Sequence, residues 1–250
     1  MTPPAGLAHD VLAASRGRSG NEHAPGGRHT FESCVERLAT AIRLGVYPYG
    51  SPLPPERELA GLLGVSRATV REAIAALRAA GMVRTTRGRG GGSVVDLEPP
   101  TPGDQPRAAA ARRPELLDAL VFRRVVEPGA CFVAATAHRS ATHEDELRVA
   151  HDRVRSASNP AEHRQADARL HLAIAALTGS AYLVDAVTQV QAAVHEMLLA
   201  IPVLPVNIEH SNAQHAAVVA AIEARQPERA RRAMEEHCDD TAALLRGLLR

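Results

Sequence analysis

The chain is expected to fold as a mainly α protein in two parts. The first is an N-terminal winged helix-turn-helix, α with a small β-hairpin wing; the second is a C-terminal all-α antiparallel helical bundle. Three observations predict this. Two short helical patterns separated by a Gly turn run into an Arg/Gly hairpin before residue 96. A stretch dense in Pro, Ala and Arg, residues 97–113, then interrupts the periodicity. From Pro114 onward apolar residues recur at helical spacing and strand signals are absent. The expected division is therefore a disordered tail (1–29), a winged helix-turn-helix (30–96), a linker (97–113) and a helical domain (114–250).

In the first half, Phe31, Val35, Leu38 and Ile42 share a helical face, and Gly45 follows as a stop. Pro48 to Pro55 is rich in turn residues. Glu56 to Leu63 makes a short helix closed by Gly64, and Ser66 is a good N-cap for the next, whose apolar stripe is Val70, Ile74 and Leu77. Gly81 ends that helix. Met82-Val83 and Val94-Val95 read as short strands flanking a hairpin from Arg84 to Ser93.

In the second half, one helix runs from Pro114 to about His138, and Thr142 opens another. Asn159, Pro160 and Glu162 start a third, which Gly179 terminates. A fourth spans roughly Ala181 to Ala200. Ser211 with Gln214 reads as a capping box for a fifth, and Gln226-Pro227 starts a sixth that runs to the C-terminus.

Composition narrows the classes. With 45% hydrophobic and only 2% aromatic residues among 250, the cores must be built from Leu, Val, Ile and Ala. No run of about 18 apolar residues exists, so no membrane partner is expected. Met1 to Arg28 lacks the apolar block of a secretion signal. Three scattered cysteines argue against a disulfide framework and for a reducing cytoplasm. Net charge is +1, but residues 1–96 carry 12 Arg against 8 acids and residues 97–250 carry 17 Arg against 20 acids. The basic half is the one with the helix-turn-helix pattern.

The chemistry of that half suits DNA. Arg67, Arg71 and Arg78 fall on one side of the second helix, beside its apolar stripe, and Arg67 lies in the first turn. Arg87, Gly88 and Arg89 make a flexible cationic tip able to track phosphates or enter a minor groove. The bland alternative is that these arginines solvate a helix face. The segment LPPERELAGLLGVSRATVREAIAALRAAGMV followed by RTTRGRGGGSVV resembles the GntR family of bacterial regulators over residues 31–95. The resemblance implies that Arg57, Arg67 and Arg71 contact operator DNA and that Gly88 of the wing enters the minor groove. Ser66 and Thr69 belong to the same motif and join the expected DNA-binding set. Pro55 stands where the family more often has Ser.

In the second half, Asp167 and His171 at i, i+4 share a helix face, a spacing from which two side chains can reach one metal. His215 sits with Val218, Val219 and Ile222, and His237 with Met234, Thr241 and Leu244. Three His and one Asp thus point into one bundle from three helices, a donor set suited to Zn²⁺, Ni²⁺ or Mn²⁺. Singly, each histidine reads as a satisfied core residue; His195 is a rival on a partly apolar face. From about Leu116 to Leu245 the chain is similar to the FCD ligand-binding domain of the FadR-like branch of the same family. That similarity rests on D-x-x-x-H (Asp167, His171), H-x-x-V/I-x-x-A-I (His215), M-x-x-H (His237) and R-x-x-x-E (Arg123, Glu127). It implies a divalent metal held by Asp167, His171, His215 and His237, with a small carboxylate beside it. Arg123 is then a candidate partner for the effector carboxylate; its other reading is an ion pair with Glu127. Ser180 stands where the family commonly has Asn after T-G.

The expected function is a repressor, acting as a homodimer on an inverted-repeat operator in double-stranded DNA and controlled by a small carboxylate bound next to the metal. Two alternatives use the same residues: a metal-dependent hydrolase, and a regulator whose metal is purely structural. Catalysis needs an open coordination position and a general base, and no HExxH, nucleophile elbow or paired carboxylates occur here. No enzymatic activity is expected.

Overall fold

Helices make up most of the computed structural model, which describes residues 5–14, 27–85, 92–98, 112–138, 141–201 and 203–248. The chain divides into two units, Met1–Pro99 and Pro100–Arg250. The expected linker, 97–113, lies largely outside the described residues.

The first unit contains helices α1 (Ala5–Ala14), α2 (Gly27–Arg43), α3 (Glu56–Leu63) and α4 (Arg67–Ala79), then strands β1 (Val83–Thr85) and β2 (Ser93–Val95). Leu38 and Ile42 of α2, Leu59 and Leu63 of α3, and Val70 and Leu77 of α4 form a core of aliphatic side chains. Gly64 turns α3 into α4 with φ of 71°, a left-handed conformation that costs glycine nothing. Ser66 Oγ then accepts from the Thr69 amide at 3.1 Å, capping α4. The wing is an antiparallel hairpin pairing Val83 with Val95 and Thr85 with Ser93. Residues 50–53, expected as turn, add a third edge to it: Leu53 N–H donates to Ser93 at 2.8 Å, and Gly50 N–H to Val95 at 2.9 Å.

The expectation of a disordered tail over 1–29 differs from the structure at α1. Leu7, Ala8, Val11 and Leu12 are buried there, and α1 packs against α2 and α3. Spacings of one, four and five residues put these four on one helical face. The surrounding Gly, Pro and Arg residues hide that short stripe in any compositional reading.

The second unit is built from α5 (Arg113–Thr136), α6 (Ala141–Ser156), α7 (Pro160–Ala176), α8 (Ala181–Leu199), α9 (Pro205–Glu223) and α10 (Pro227–Leu248). Helix α5 packs against α10 and α8, α6 against α7, and α9 against α10. One apolar cluster gathers Cys131, Leu147, Leu170, Ile174, Val218 and Met234. A second gathers Leu116, Leu120, Val190, Val194, Met197 and Leu245. Asn159 caps α7, its Oδ1 accepting from the amides of Ala161 and Glu162, and Pro160 follows at the first helical position. Ser180 caps α8 by accepting from Leu183 N–H at 3.4 Å. One start signal is corrected: α9 begins at Pro205, so Ser211 and Gln214 are interior positions rather than a capping box. Pro205 needs no amide at the first turn and nucleates the helix two turns earlier. Among the described residues no helix is long and apolar enough to cross a membrane.

Candidate metal centre and nucleic-acid interface

Helix α7 places Asp167 and His171 on one face, α9 contributes His215 and α10 contributes His237. One ring nitrogen of each histidine lies within 4.8 Å of the other two, and all three are buried. The rings sit 4.5 to 5.3 Å apart, centroid to centroid. Asp167 borders the cluster, its Oδ1 3.4 Å from His215 Nε2 and its Oδ2 3.9 Å from His171 Nε2. The Nε2 atoms of His171, His215 and His237 have no hydrogen-bond partner. Buried polar atoms left unpaired cost free energy, and a divalent cation accepting three imidazole lone pairs would remove that cost. The His cluster is thus geometrically compatible with a divalent metal ion.

The electrostatics favour ligand-ready imidazoles. Burial, opposed by the Asp167 carboxylate, pulls His215 down to about 3. Burial likewise holds His237 well below its ordinary value, with His215 and Arg123 adding to the effect. Both rings are therefore neutral at neutral pH and keep a lone pair for a metal.

Glu127, one turn after Arg123 on α5, is the hub beneath this cluster. It is only 2% exposed, yet its Oε2 accepts from Arg123 Nε at 2.9 Å and lies 3.0 Å from His171 Nδ1. Its Oε1 accepts from Gln191 of α8 at 2.5 Å. Burial pushes its carboxyl up, but Arg123 and His171 outweigh that and hold it well below the carboxylate range. On the far side, Gln214 Oε1 lies 3.1 Å from His237 Nδ1. Sequence reasoning missed Gln191 and Gln214 in this role. Nothing in the sequence marks Gln191, whose partner lies 64 positions away; Gln214 was readable only as the neighbour of His215.

A cavity of about 70 Å³ opens beside the cluster. Arg123, Asp167 and His237 line it together with the apolar Val194, Leu198, Ile201 and Leu244. Since one water needs roughly 10–15 Å³ measured this way, the space suits a molecule of a few heavy atoms. Arg123 is 1% exposed; its Nε is taken by Glu127 while its Nη1 has no hydrogen-bond partner. The ion pair with Glu127 thus occupies Nε and leaves Nη1 over.

In the first unit Arg57 and Arg67 are exposed, as is Arg71. Arg71 is not idle: its Nε and Nη2 donate to Glu56 of α3, the shorter contact being 2.8 Å. Arg78 Nη1 donates to Thr85 Oγ1 at 3.2 Å, tying α4 to the wing. Thr69 Oγ1 lies 2.9 Å from Ser66 Oγ inside the cap. Arg87, Gly88 and Arg89 lie outside the described residues.

Comparison with known proteins agrees with this anatomy. The model of bacterial regulatory proteins of the gntR family matches residues 30–92, and that of the FCD domain matches residues 118–240. The HTH-type transcriptional regulator RmpR of Mycobacterium gastri is 32% identical over 218 residues, 82% of this chain and 76% of its own length. The Uxu operon transcriptional regulator of Escherichia coli (strain K12) is 33% identical over 144 residues, 56% of this chain and 54% of its own length. Among solved structures, a GntR transcriptional regulator from Rhodococcus sp. RHA1 superposes with a TM-score of 0.52 at 21% identity, covering 89% of this chain and 100% of that one. E. coli McbR/YncC gives 0.51 at 18% identity, covering 87% and 97%. These two share the fold. The relatives are transcription regulators rather than enzymes, and the chain belongs to the GntR family of DNA-binding regulators, in the branch that carries an FCD domain.

Proposed function

We propose that this regulator is a repressor whose operator affinity is set by a small carboxylate bound beside the metal. The observation that carries this reading is the unpartnered Nη1 of buried Arg123, which lines a cavity together with Asp167 and His237. A buried guanidinium donor with no acceptor favours an anion, and the same cavity would offer it a metal. Asp167, His171, His215 and His237 hold the metal; Zn²⁺, Ni²⁺ and Mn²⁺ all suit these donors. Residues 30–96 read DNA through Arg57, Ser66, Arg67, Thr69 and Arg71 together with Arg87, Gly88 and Arg89 of the wing. Residues 97–113 link them to the sensing domain, 114–250. A homodimer reads an inverted repeat, because one winged helix covers too little sequence for a specific address.

The test is a titration of small carboxylates against the metal-loaded protein–DNA complex. Release of DNA by one acid, lost in Arg123→Gln but not in a distant variant such as Arg232→Gln, is the expected result. The bond from Arg123 Nε to Glu127 favours a second reading, a structural guanidinium and a structural metal. No response to any carboxylate, with metal still bound stoichiometrically, would select it.

A further inference from the structure

His237 can bind a cation through Nε2 only if its ring proton stays on Nδ1. The structure contains a chain of contacts that holds it there, and the chain begins at the surface. Asp240, a turn beyond His237 on α10, has a half-exposed side chain. Its Oδ2 lies 2.9 Å from His210 Nε2 and 2.8 Å from Gln214 Nε2, both on α9. Hydrogen bonds from His210 and Gln214 hold its carboxyl below the ordinary value, so it is ionised at neutral pH. An ionised carboxylate only accepts, and therefore the NH₂ of Gln214 must face Asp240. The carbonyl Oε1 then faces inward, 3.1 Å from His237 Nδ1. That oxygen also only accepts, so Nδ1 must carry the proton. The lone pair is left on Nε2, which is buried without a hydrogen-bond partner.

We propose that Gln214 is a positioning residue for the metal centre, and that Asp240, outside the centre, sets its orientation. The carboxylate dictates which way the amide turns, the amide dictates the tautomer, and the tautomer dictates the ligand atom. The proposal rests on the reading of the His cluster as a metal site. It has a specific corollary. Asn in place of Asp240 offers a donor as well as an acceptor, so Gln214 is free to flip. Once flipped, its NH₂ faces Nδ1, the proton moves to Nε2 and the ligand atom is lost.

The experiment compares the full-length wild type with Gln214→Leu, Asp240→Asn and Asp239→Asn. Asp239 is the neighbouring exposed acid, paired instead with Arg124 at 2.7 Å. Zn²⁺ affinity is measured by competition with a chromophoric chelator. The tautomer of His237 is read on metal-free protein by long-range ¹H–¹⁵N correlation. Gln214→Leu is expected to weaken Zn²⁺ binding roughly 10- to 100-fold, the usual range for partners of metal ligands. Asp240→Asn is expected to weaken it several-fold and to populate the Nε2–H form, while Asp239→Asn matches wild type. Wild-type affinity in both Gln214→Leu and Asp240→Asn, or an Nε2–H tautomer in wild type, would overturn the proposal. If Gln214→Leu does not fold, the exposed Asp240→Asn decides alone. If wild type takes up no Zn²⁺, the metal reading fails, and the tautomers of wild type and Asp240→Asn still decide whether Asp240 orients the amide.

Discussion

In residues 27–98 the buried side chains of the core are apolar, with Ser51 the one polar exception among those described. In residues 112–248 eleven polar or charged side chains are buried, among them Arg123, Glu127, Asp167 and three clustered histidines. The first unit keeps Arg57, Arg67 and Arg71 on the outside, where water or DNA can reach them. The second carries its charge into the bundle, where each desolvated group needs a partner or costs several kcal/mol. Burying so much polarity is poor design for stability alone. The contrast supports the proposed reading, in which the first unit presents charge to DNA and the second takes up a ligand within.

Removing one acid from each unit gives the sharpest test of that contrast. Glu127→Ala leaves Arg123 charged, buried and unpaired, and should cost about 3–5 kcal/mol of folding stability in urea titrations. Glu56→Ala breaks an exposed pair with Arg71 and should leave the unfolding midpoint almost unmoved. Equal losses in the two variants would erase the distinction.

Acid should act on the second unit next. The folded-state value of His215, about 3, lies below the ordinary 6.5. Between those values the unfolded chain takes up a proton that the folded chain refuses, so stability is full above about 6.5 and falls as pH drops toward 3. Chelator-treated protein should therefore melt at a clearly lower temperature at pH 5 than at pH 7.5. His215→Gln should reduce that dependence and leave the share that belongs to His237; an unchanged slope would mean that His215 is not held neutral by burial.

The exposed arginines should show the opposite profile, with function lost and stability kept. Arg67→Ala and Arg71→Ala should each weaken specific operator binding on the order of tenfold to a hundredfold in gel shifts, with unchanged melting. Unchanged affinity in both would remove α4 from the reading of DNA. The smallest effect belongs to the cap. Ser66→Ala should cost about 1 kcal/mol of stability, and Ser66→Asp should retain most of it. A neutral Ser66→Ala would mean that the α4 start is held by packing alone.

The two units also differ in how far the sequence discloses them. Gly64, Ser66, Asn159 and Pro160 act on neighbours within three or four residues, so their roles are readable locally. Asp167 with His171 is readable for the same reason, as a one-turn spacing. The helix α1 is not, because its four buried residues sit among Gly, Pro and Arg. Ser211 and Gln214 mislead because S-x-x-Q describes both a helix start and one face of a helix interior. Only the fold shows that Gln214 looks across to α10. The hub at Glu127 needs partners from α5, α7 and α8, and such convergence leaves no mark on any single stretch of sequence.

The pair between Arg71 and Glu56 bears on how the protein would travel along a chromosome. In the proposed reading Arg71 is a DNA-contacting residue, yet off DNA its guanidinium is already gripped through Nε and Nη2. Any phosphate along random sequence must compete with a carboxylate that is already in place, and the released carboxylate is then repelled by the duplex. A guanine edge in the operator offers two acceptors at once and competes better. Glu56 would thereby shorten each pause at the many wrong sites more than at the few right ones, and speed the search by making the reading head less adhesive.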